Sequence, residues 1–233
     1  MGAARLKIAI LYGWELAALV LLAGAPVFAQ APRAPQPKFI VVLDAAHGGD
    51  DAGAALKSGQ AEKSLTLAFA VKLRSLLTAR GMTVLTTRDS DQAITPNQRA
   101  EIANRAQAQA CLSLHFSDTG SGVHLFVSDL PAAPSGHFLP WKTAQSAWVN
   151  RSLALTGEFN SALQHASLPI TLGRTALAGI DSMACPAVAI EIAPERTPGS
   201  VAVKSALNDP NYQSRVAEAL AAALLVWRTE ARP

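Results

Sequence analysis

The sequence predicts a single α/β domain built on a mostly parallel, twisted sheet with helices on both faces. Three observations support this prediction. Strand-like apolar segments alternate with helical segments along the chain. The stretch FIVVLDAA at 39–46 is a continuous apolar run, as is typical of strands buried on both faces. A chain of 233 residues with 50% hydrophobic and 16% charged residues is long enough for one well-buried domain and is neither disordered nor fibrous in composition.

The helical segments have clear periodicity and recognisable ends. Over 62–80 large apolar residues recur at helical spacing, and Gly81 stands where a left-handed cap would end the helix. The next helix opens with TPNQ at 95–98, which forms a capping box with proline at the first helical position. The stretch 128–143 has three prolines and no period, so we expect a surface loop there. Further helices are expected over 144–166 and from 209 to about 228, and further strands at 82–88, 110–116, 122–128 and 186–192.

The N-terminal segment is expected to lie outside this domain. Residues 1–29 predict a signal peptide, because two basic residues precede the apolar stretch IAILYGWELAALVLLAGAPVFA and its small-residue ending suits cleavage before Gln30. The apolar run is nearly long enough to span a bilayer, so an uncleaved membrane anchor is the alternative. QAPRAPQP at 30–37 predicts an extended, proline-rich tether, and the folded domain is expected over 38–233. The protein is therefore expected to be exported to the periplasm or cell envelope.

The charge pattern argues against nucleic acid as a partner. Leaving out 1–29 lowers the formal net charge from +3 to +2, which is a mild excess. No cluster of lysine and arginine suggests a nucleic-acid surface.

Two cysteines, Cys111 and Cys185, each lie beside an apolar run. In an exported protein they could form a disulfide, whereas free cysteines are also common as small core residues. The sequence alone leaves both states open.

Polar residues fall where the predicted strands end. His47 follows the first strand, His115 and Glu191 lie at the ends of later strands, and Glu62 opens the first helix. Ligands of open α/β sheets bind beyond the carboxyl ends of the strands, so these groups are expected at one edge. Two imidazoles and a carboxylate suggest a catalytic zinc site with three protein ligands, which leaves Glu191 as an acid or base. Spacing alone does not separate this hypothesis from ordinary polar residues at strand ends.

Several segments, taken in order over residues 39 to about 228, resemble a known enzyme family. They are VVLDAAHGGDDAGA, EKSLTLAFAVKLRSLLTARGMTVLTTRDSD, QRAEIANRAQAQACLSLHFSD, GVHLFV and PAVAIEI. The chain resembles the zinc-dependent N-acetylmuramoyl-L-alanine amidases of the amidase 3 type. The resemblance implies that His47, Glu62 and His115 hold zinc and that Glu191 is catalytic. It also implies that peptidoglycan is the substrate, cleaved at the amide between muramic acid and L-alanine, which fits an exported protein.

The turn after the first strand is expected to depend on Gly48 and Gly49. Without a Cβ they let the backbone turn away from His47, and we expect them to leave room for substrate. Asp44 could orient a zinc-bound imidazole or bond backbone amides. The chain departs from the family pattern at Ala45-Ala46, at HFSD after the central strand and at IAPER near the end; we expect these departures to change the site lining and substrate preference.

The other histidines are interpreted as packed or solvated side chains rather than ligands: His124, His137 and His165. Two other functions stay open at this point. One is a different zinc peptidase of the cell wall, and the other is a non-catalytic peptidoglycan-binding module that keeps the amidase fold.

Overall fold

The computed structural model describes residues 38–134, 138–197 and 199–230. The predicted signal peptide at 1–29 and tether at 30–37 lie outside the described residues, as does His137. Among the helices that are described, none combines the length and the apolar character needed to cross a membrane.

Within the described residues, six strands form the main sheet: β1 (Ile40–Ala45), β2 (Thr83–Thr86), β3 (Ala110–Phe116), β4 (Val123–Ser128), β5 (Ile170–Thr175) and β6 (Ala187–Ile192). Their spatial order is β2-β1-β3-β6-β4-β5. The first four in this order are mutually parallel, whereas β4 and β5 are parallel to each other and antiparallel to β6. The predicted mostly parallel sheet is confirmed.

In the part of the chain that the structure describes, four α-helices cover the two faces of this sheet: α1 (Glu62–Ala79), α2 (Pro96–Ala106), α3 (Val149–His165) and α4 (Pro210–Glu230). Successive residues of a strand point to opposite faces. Accordingly, Val41 and Leu43 pack in the core formed with α1, α3 and α4, while Val42 packs in a smaller core formed with α2 and a 3₁₀ turn at Ile180–Ser182. The prediction of one α/β domain with helices on both faces is confirmed.

Three strands lack the apolar pattern by which a strand is recognised in sequence. In β5 no residue is fully buried, because it is the edge strand of the main sheet. The other two are the short strands β7 (Glu195–Arg196) and β8 (Val203–Ser205), which form a separate antiparallel hairpin after β6. The expected helix over 144–166 is also divided, since a 3₁₀ helix at Trp141–Ala147 precedes α3.

The two cysteines form a disulfide, Cys111–Cys185, with a Cα–Cα distance of 6.3 Å. It joins the start of β3 to the segment that leads into β6, within the smaller core. The sequence left open whether these cysteines are free or paired, and the structure shows that they are paired. Beyond the opposite ends of these two strands, where β1 also ends and β4 begins, lies the edge that carries the polar groups.

Candidate metal centre

His47 lies in a tight turn just beyond β1, in the left-handed region with φ 63°. Gly48 and Gly49 continue the turn with φ 131° and 60°. A Cβ on Gly48 would come within 2.3 Å of the Gln92 carbonyl oxygen, and one on Gly49 within 2.8 Å of Ala93. The turn therefore needs both glycines, as predicted. That the two glycines also leave room for substrate stays a prediction.

Glu62 is the first residue of α1, and its side chain is only 5% exposed. Its Oε2 lies 3.1 Å from His47 Nε2, and its Oε1 lies 3.1 Å from His115 Nδ1. Two backbone N–H groups, of Ala54 and Phe116, also donate to this carboxylate. Burial opposes its charge, but the hydrogen bonds from both imidazoles and both N–H groups outweigh burial and hold the pKa of Glu62 well below its usual range. Glu62 is thus anionic at neutral pH.

Both histidines present one ring nitrogen to Glu62 and have a partner for the other. His47 Nδ1 lies 2.9 Å from Asp51 Oδ2, and His115 Nε2 lies 3.4 Å from Ser113 Oγ. The hydrogen bond to Glu62 raises the pKa of His47; burial lowers it by less, and the hydrogen bond to Asp51 raises it further. Such partners fix ring orientation in metal sites.

Sequence reasoning did not identify Asp51, although it lies four residues after His47 in the same glycine-rich turn. The sequence signal that could have identified Asp51 is its place in this turn, because a tight turn brings the residues that follow His47 back toward its side chain. The amide of Gly53 also donates to Asp51.

One ligand atom each from His47, Glu62 and His115 lies within 4.8 Å of the others, so these residues could hold a metal ion. Two imidazole nitrogens and a carboxylate oxygen form a donor set that suits zinc. Glu62 is buried and the two imidazoles are half-buried, which leaves one side of the group open to solvent.

Asp44 lies behind this group rather than against His47. Its carboxylate accepts hydrogen bonds from Arg99 at 2.6 Å, from Thr87 at 2.8 Å and from Ser113 at 2.8 Å. Because Ser113 also contacts His115, Asp44 reaches an imidazole through this serine. Arg99 further donates to the His47 carbonyl, so the buried ion pair ties α2 to the turn that carries His47.

Several departures from the family pattern prove to be buried. Ala45 and Ala46 are 0% and 4% exposed, and Phe116 is 1% exposed and packs edge-to-face on Phe69. Within IAPER, residues 192–195 are buried as well. The expectation that these departures line the site is therefore wrong for these residues, which belong to the core and its supports.

Glu191 lies in β6 directly beside His115 in the parallel register. It is not among the three residues that converge, and its side chain is 30% exposed. Its Oε1 lies 2.7 Å from Nδ1 of His124, which faces it across the antiparallel pair of β4 and β6. Arg196 donates to the carbonyl groups of the loop at 118–120. Sequence reasoning missed the contact with His124, because it depends on the pairing of β4 with β6.

The fold and site together define an α/β domain in which His47, Glu62 and His115, three residues that could hold a metal ion, meet at the carboxyl edge of the sheet. The family model described as N-acetylmuramoyl-L-alanine amidase, of the amidase 3 type, matches residues 41–226. The chain therefore belongs to this family, which confirms the resemblance noted from the sequence.

Individual relatives agree with this assignment. The amidase AmiA of Escherichia coli (strain K12) is 41% identical over 78 residues, which are 34% of this chain and 27% of AmiA. A sporulation-specific N-acetylmuramoyl-L-alanine amidase of Bacillus subtilis (strain 168) is 38% identical over 98 residues, 41% of this chain and 38% of that protein. These matches thus span about a third of each relative. The catalytic domain of CwlV, an amidase from Bacillus (Paenibacillus) polymyxa var. colistinus, superposes with a TM-score of 0.61 at 25% identity, covering 82% of this chain and 98% of that domain.

Proposed function

We propose that the protein is a zinc-dependent amidase that hydrolyses the amide between N-acetylmuramic acid and L-alanine in peptidoglycan. The observation that carries the proposal is the convergence of His47, Glu62 and His115 at an open edge of the sheet, with Glu191 beside His115 in register. Family membership supports the reaction, and the donor set supports the metal.

The proposed ligands are suited to zinc by more than their atom types. Glu62 supplies a buried negative charge that attracts a dication. Asp51 and Ser113 contact the imidazole nitrogens that do not face Glu62, so that His47 Nε2 and His115 Nδ1 face the same point. When bound there, zinc supplies a Lewis acid that polarises the scissile carbonyl and lowers the pKa of a water molecule to about 7.

Glu191 is the proposed general base and acid. Within the described part of the chain its Oε1 is hydrogen-bonded only to His124, and its Oε2 has no hydrogen-bond partner. This oxygen takes a proton from the attacking water as the C–O bond forms. It then gives the proton to the nitrogen of L-alanine as the C–N bond breaks, which leaves a muramic acid carboxyl group and a free peptide amine.

We propose that the protein acts outside the cytoplasm, where its substrate lies, after a signal peptide at 1–29 is removed. The Cys111–Cys185 disulfide supports this proposal, because disulfides persist in oxidising compartments such as the periplasm.

The test is digestion of purified peptidoglycan by the zinc-loaded protein, followed by identification of the released ends. Peptides with a free L-alanine amine are expected. Glu191→Gln keeps the shape of the side chain and removes the proton acceptor, so it should retain zinc and lose about 10²- to 10⁴-fold in turnover. Release of other ends would indicate a different zinc peptidase. No release by the zinc-loaded wild type, with peptidoglycan still bound, would indicate a non-catalytic binding module.

A further inference from the structure

His124 is a nearly buried histidine outside the group of His47, Glu62 and His115. It lies in β4, with a side chain 10% exposed, and its Nδ1 is 2.7 Å from Glu191 Oε1. Because His115, Glu191 and His124 occupy paired positions on β3, β6 and β4, their side chains form one row across the sheet. A ligand of the proposed metal stands at one end of this row and an imidazole at the other, with Glu191 between them.

We propose that His124 is a positioning residue that holds Glu191 by one carboxylate oxygen and leaves the other oxygen for the reaction. This inference rests on the proposed function, since it concerns the group assigned there as base and acid. His124 itself contacts neither substrate nor metal in this proposal.

The surroundings of His124 fix its ring. A Cβ on Gly120, which has φ 77°, would lie 2.3 Å from His124 Cε1 and 2.4 Å from Nε2, so the loop backbone presses against that edge of the ring. Arg196 holds this loop by donating to the carbonyls of Gly120 and Asp118 at 2.9 and 3.0 Å. On another side, Phe126 meets the ring edge-to-face at a centroid distance of 6.4 Å. The imidazole is thus clamped with Nδ1 directed at Glu191.

The contact has a chemical consequence for the carboxylate. An ionised carboxylate only accepts, so Nδ1 must carry the proton and donate it in the hydrogen bond. A charge-assisted bond of this kind restricts the torsions of a side chain that is otherwise partly exposed. When Oε2 takes up a proton, Oε1 still accepts from His124, so Glu191 keeps its orientation through both proton transfers.

Three substitutions at one position test the role. In asparagine the amide nitrogen branches from Cγ as Nδ1 does, so His124→Asn keeps a donor facing Glu191. Glutamine places its amide nearer the former Nε2, and alanine has none. On a soluble N-acetylmuramoyl peptide, His124→Ala and His124→Gln should lower kcat about 10- to 100-fold with KM little changed, the size typical of lost supporting partners. His124→Asn should stay within about threefold of wild type in kcat.

The double variant with Glu191→Gln separates positioning from general stability. If His124 acts through Glu191, adding His124→Ala to Glu191→Gln should cause almost no further loss in kcat. The proposal would be overturned if His124→Ala lowered kcat as much in the Glu191→Gln background as in the wild type. It would also be overturned if His124→Ala had a wild-type kcat, or if His124→Asn were as slow as His124→Ala. An inactive wild type would overturn the proposed function and this role with it.

A readout independent of turnover uses the metal-free protein. Long-range ¹H–¹⁵N spectra report which ring nitrogen of a histidine is protonated. We expect the proton of His124 on Nδ1 in the wild type, with a signal that shifts in Glu191→Gln and not in the distant Glu101→Gln control. A neutral ring protonated on Nε2 would contradict the contact, whatever the activity.

Discussion

Removing Asp44 should destabilise the protein far more than removing an exposed acid of similar charge. Asp44 and Arg99 are 4% and 7% exposed, and Arg99 Nη1 lies 2.6 Å from Asp44 Oδ1. Breaking a buried pair by removing one partner costs about 3–5 kcal/mol, because the remaining charge stays buried. In Asp44→Ala the hydroxyls of Thr87 and Ser113 also lose their acceptor. Arg99 keeps its bonds to backbone carbonyls, so we expect the lower end, about 3 kcal/mol.

The assay is reversible urea unfolding of the metal-free chain, with thermal unfolding as a second measure. About 3 kcal/mol corresponds to a melting temperature lower by roughly 6–12 °C in a domain of this size. Glu101→Ala is the matched control, because Glu101 pairs with Arg105 on the exposed surface of α2 at 3.4 Å, with side chains 64% and 79% exposed. That change should stay within about 0.5 kcal/mol of wild type. If Asp44→Ala lost less than about 1 kcal/mol, or no more than Glu101→Ala, the buried pair would not stabilise the turn that carries His47.

Three further predictions concern the metal, the pH and the N-terminus. Metal analysis should show that His47→Ala and His115→Ala each lose stoichiometric zinc, whereas the control His165→Ala, on the exposed surface of α3, retains it. Full zinc in both ligand variants would show that these histidines are not metal ligands. The raised pKa of His47 stabilises the metal-free protein, and this contribution is fully present below about pH 6.5 and is lost as the pH rises through the folded-state pKa. In His47→Asn, the plot of unfolding free energy against pH should therefore be flatter above about pH 6.5 than in the wild type. An unchanged slope would assign that pH dependence elsewhere. N-terminal sequencing of the exported protein should begin at Gln30, and an intact Met1 would favour the membrane anchor.

The fold could be predicted because its central strands are buried on both faces. FIVVLDAA and PAVAIEI have apolar residues at nearly every position, and this pattern leaves few alternatives to a covered, largely parallel sheet. Strand β5 could not be found in the same way, because an exposed edge strand needs no continuous apolar run. The antiparallel direction of β4 likewise depends on long-range packing and has no local sequence signature.

The residues of the candidate site could be predicted from the sequence, but the hydrogen bonds that support them could not. His47, Glu62 and His115 follow from strand ends, a helix start and the family resemblance, and the structure brings these three together. Their supports depend on pairing across the sheet. Ser113 meets Asp44 because β1 and β3 are in register, and spacing along the chain contains no such information.

The row of His115, Glu191 and His124 has a consequence for how freely the edge loops can change. Each residue lies inside a strand, so the separation between neighbours follows the interstrand spacing of about 4.8 Å and not the conformation of any loop. Loops that do not touch the row could therefore be lengthened, shortened or exchanged while these three side chains keep their spacing. The loop at 117–122 must be kept, because its backbone at Gly120 lies against the His124 ring. A one-residue slip in β6, by contrast, would turn Glu191 to the opposite face of the sheet and abolish the row.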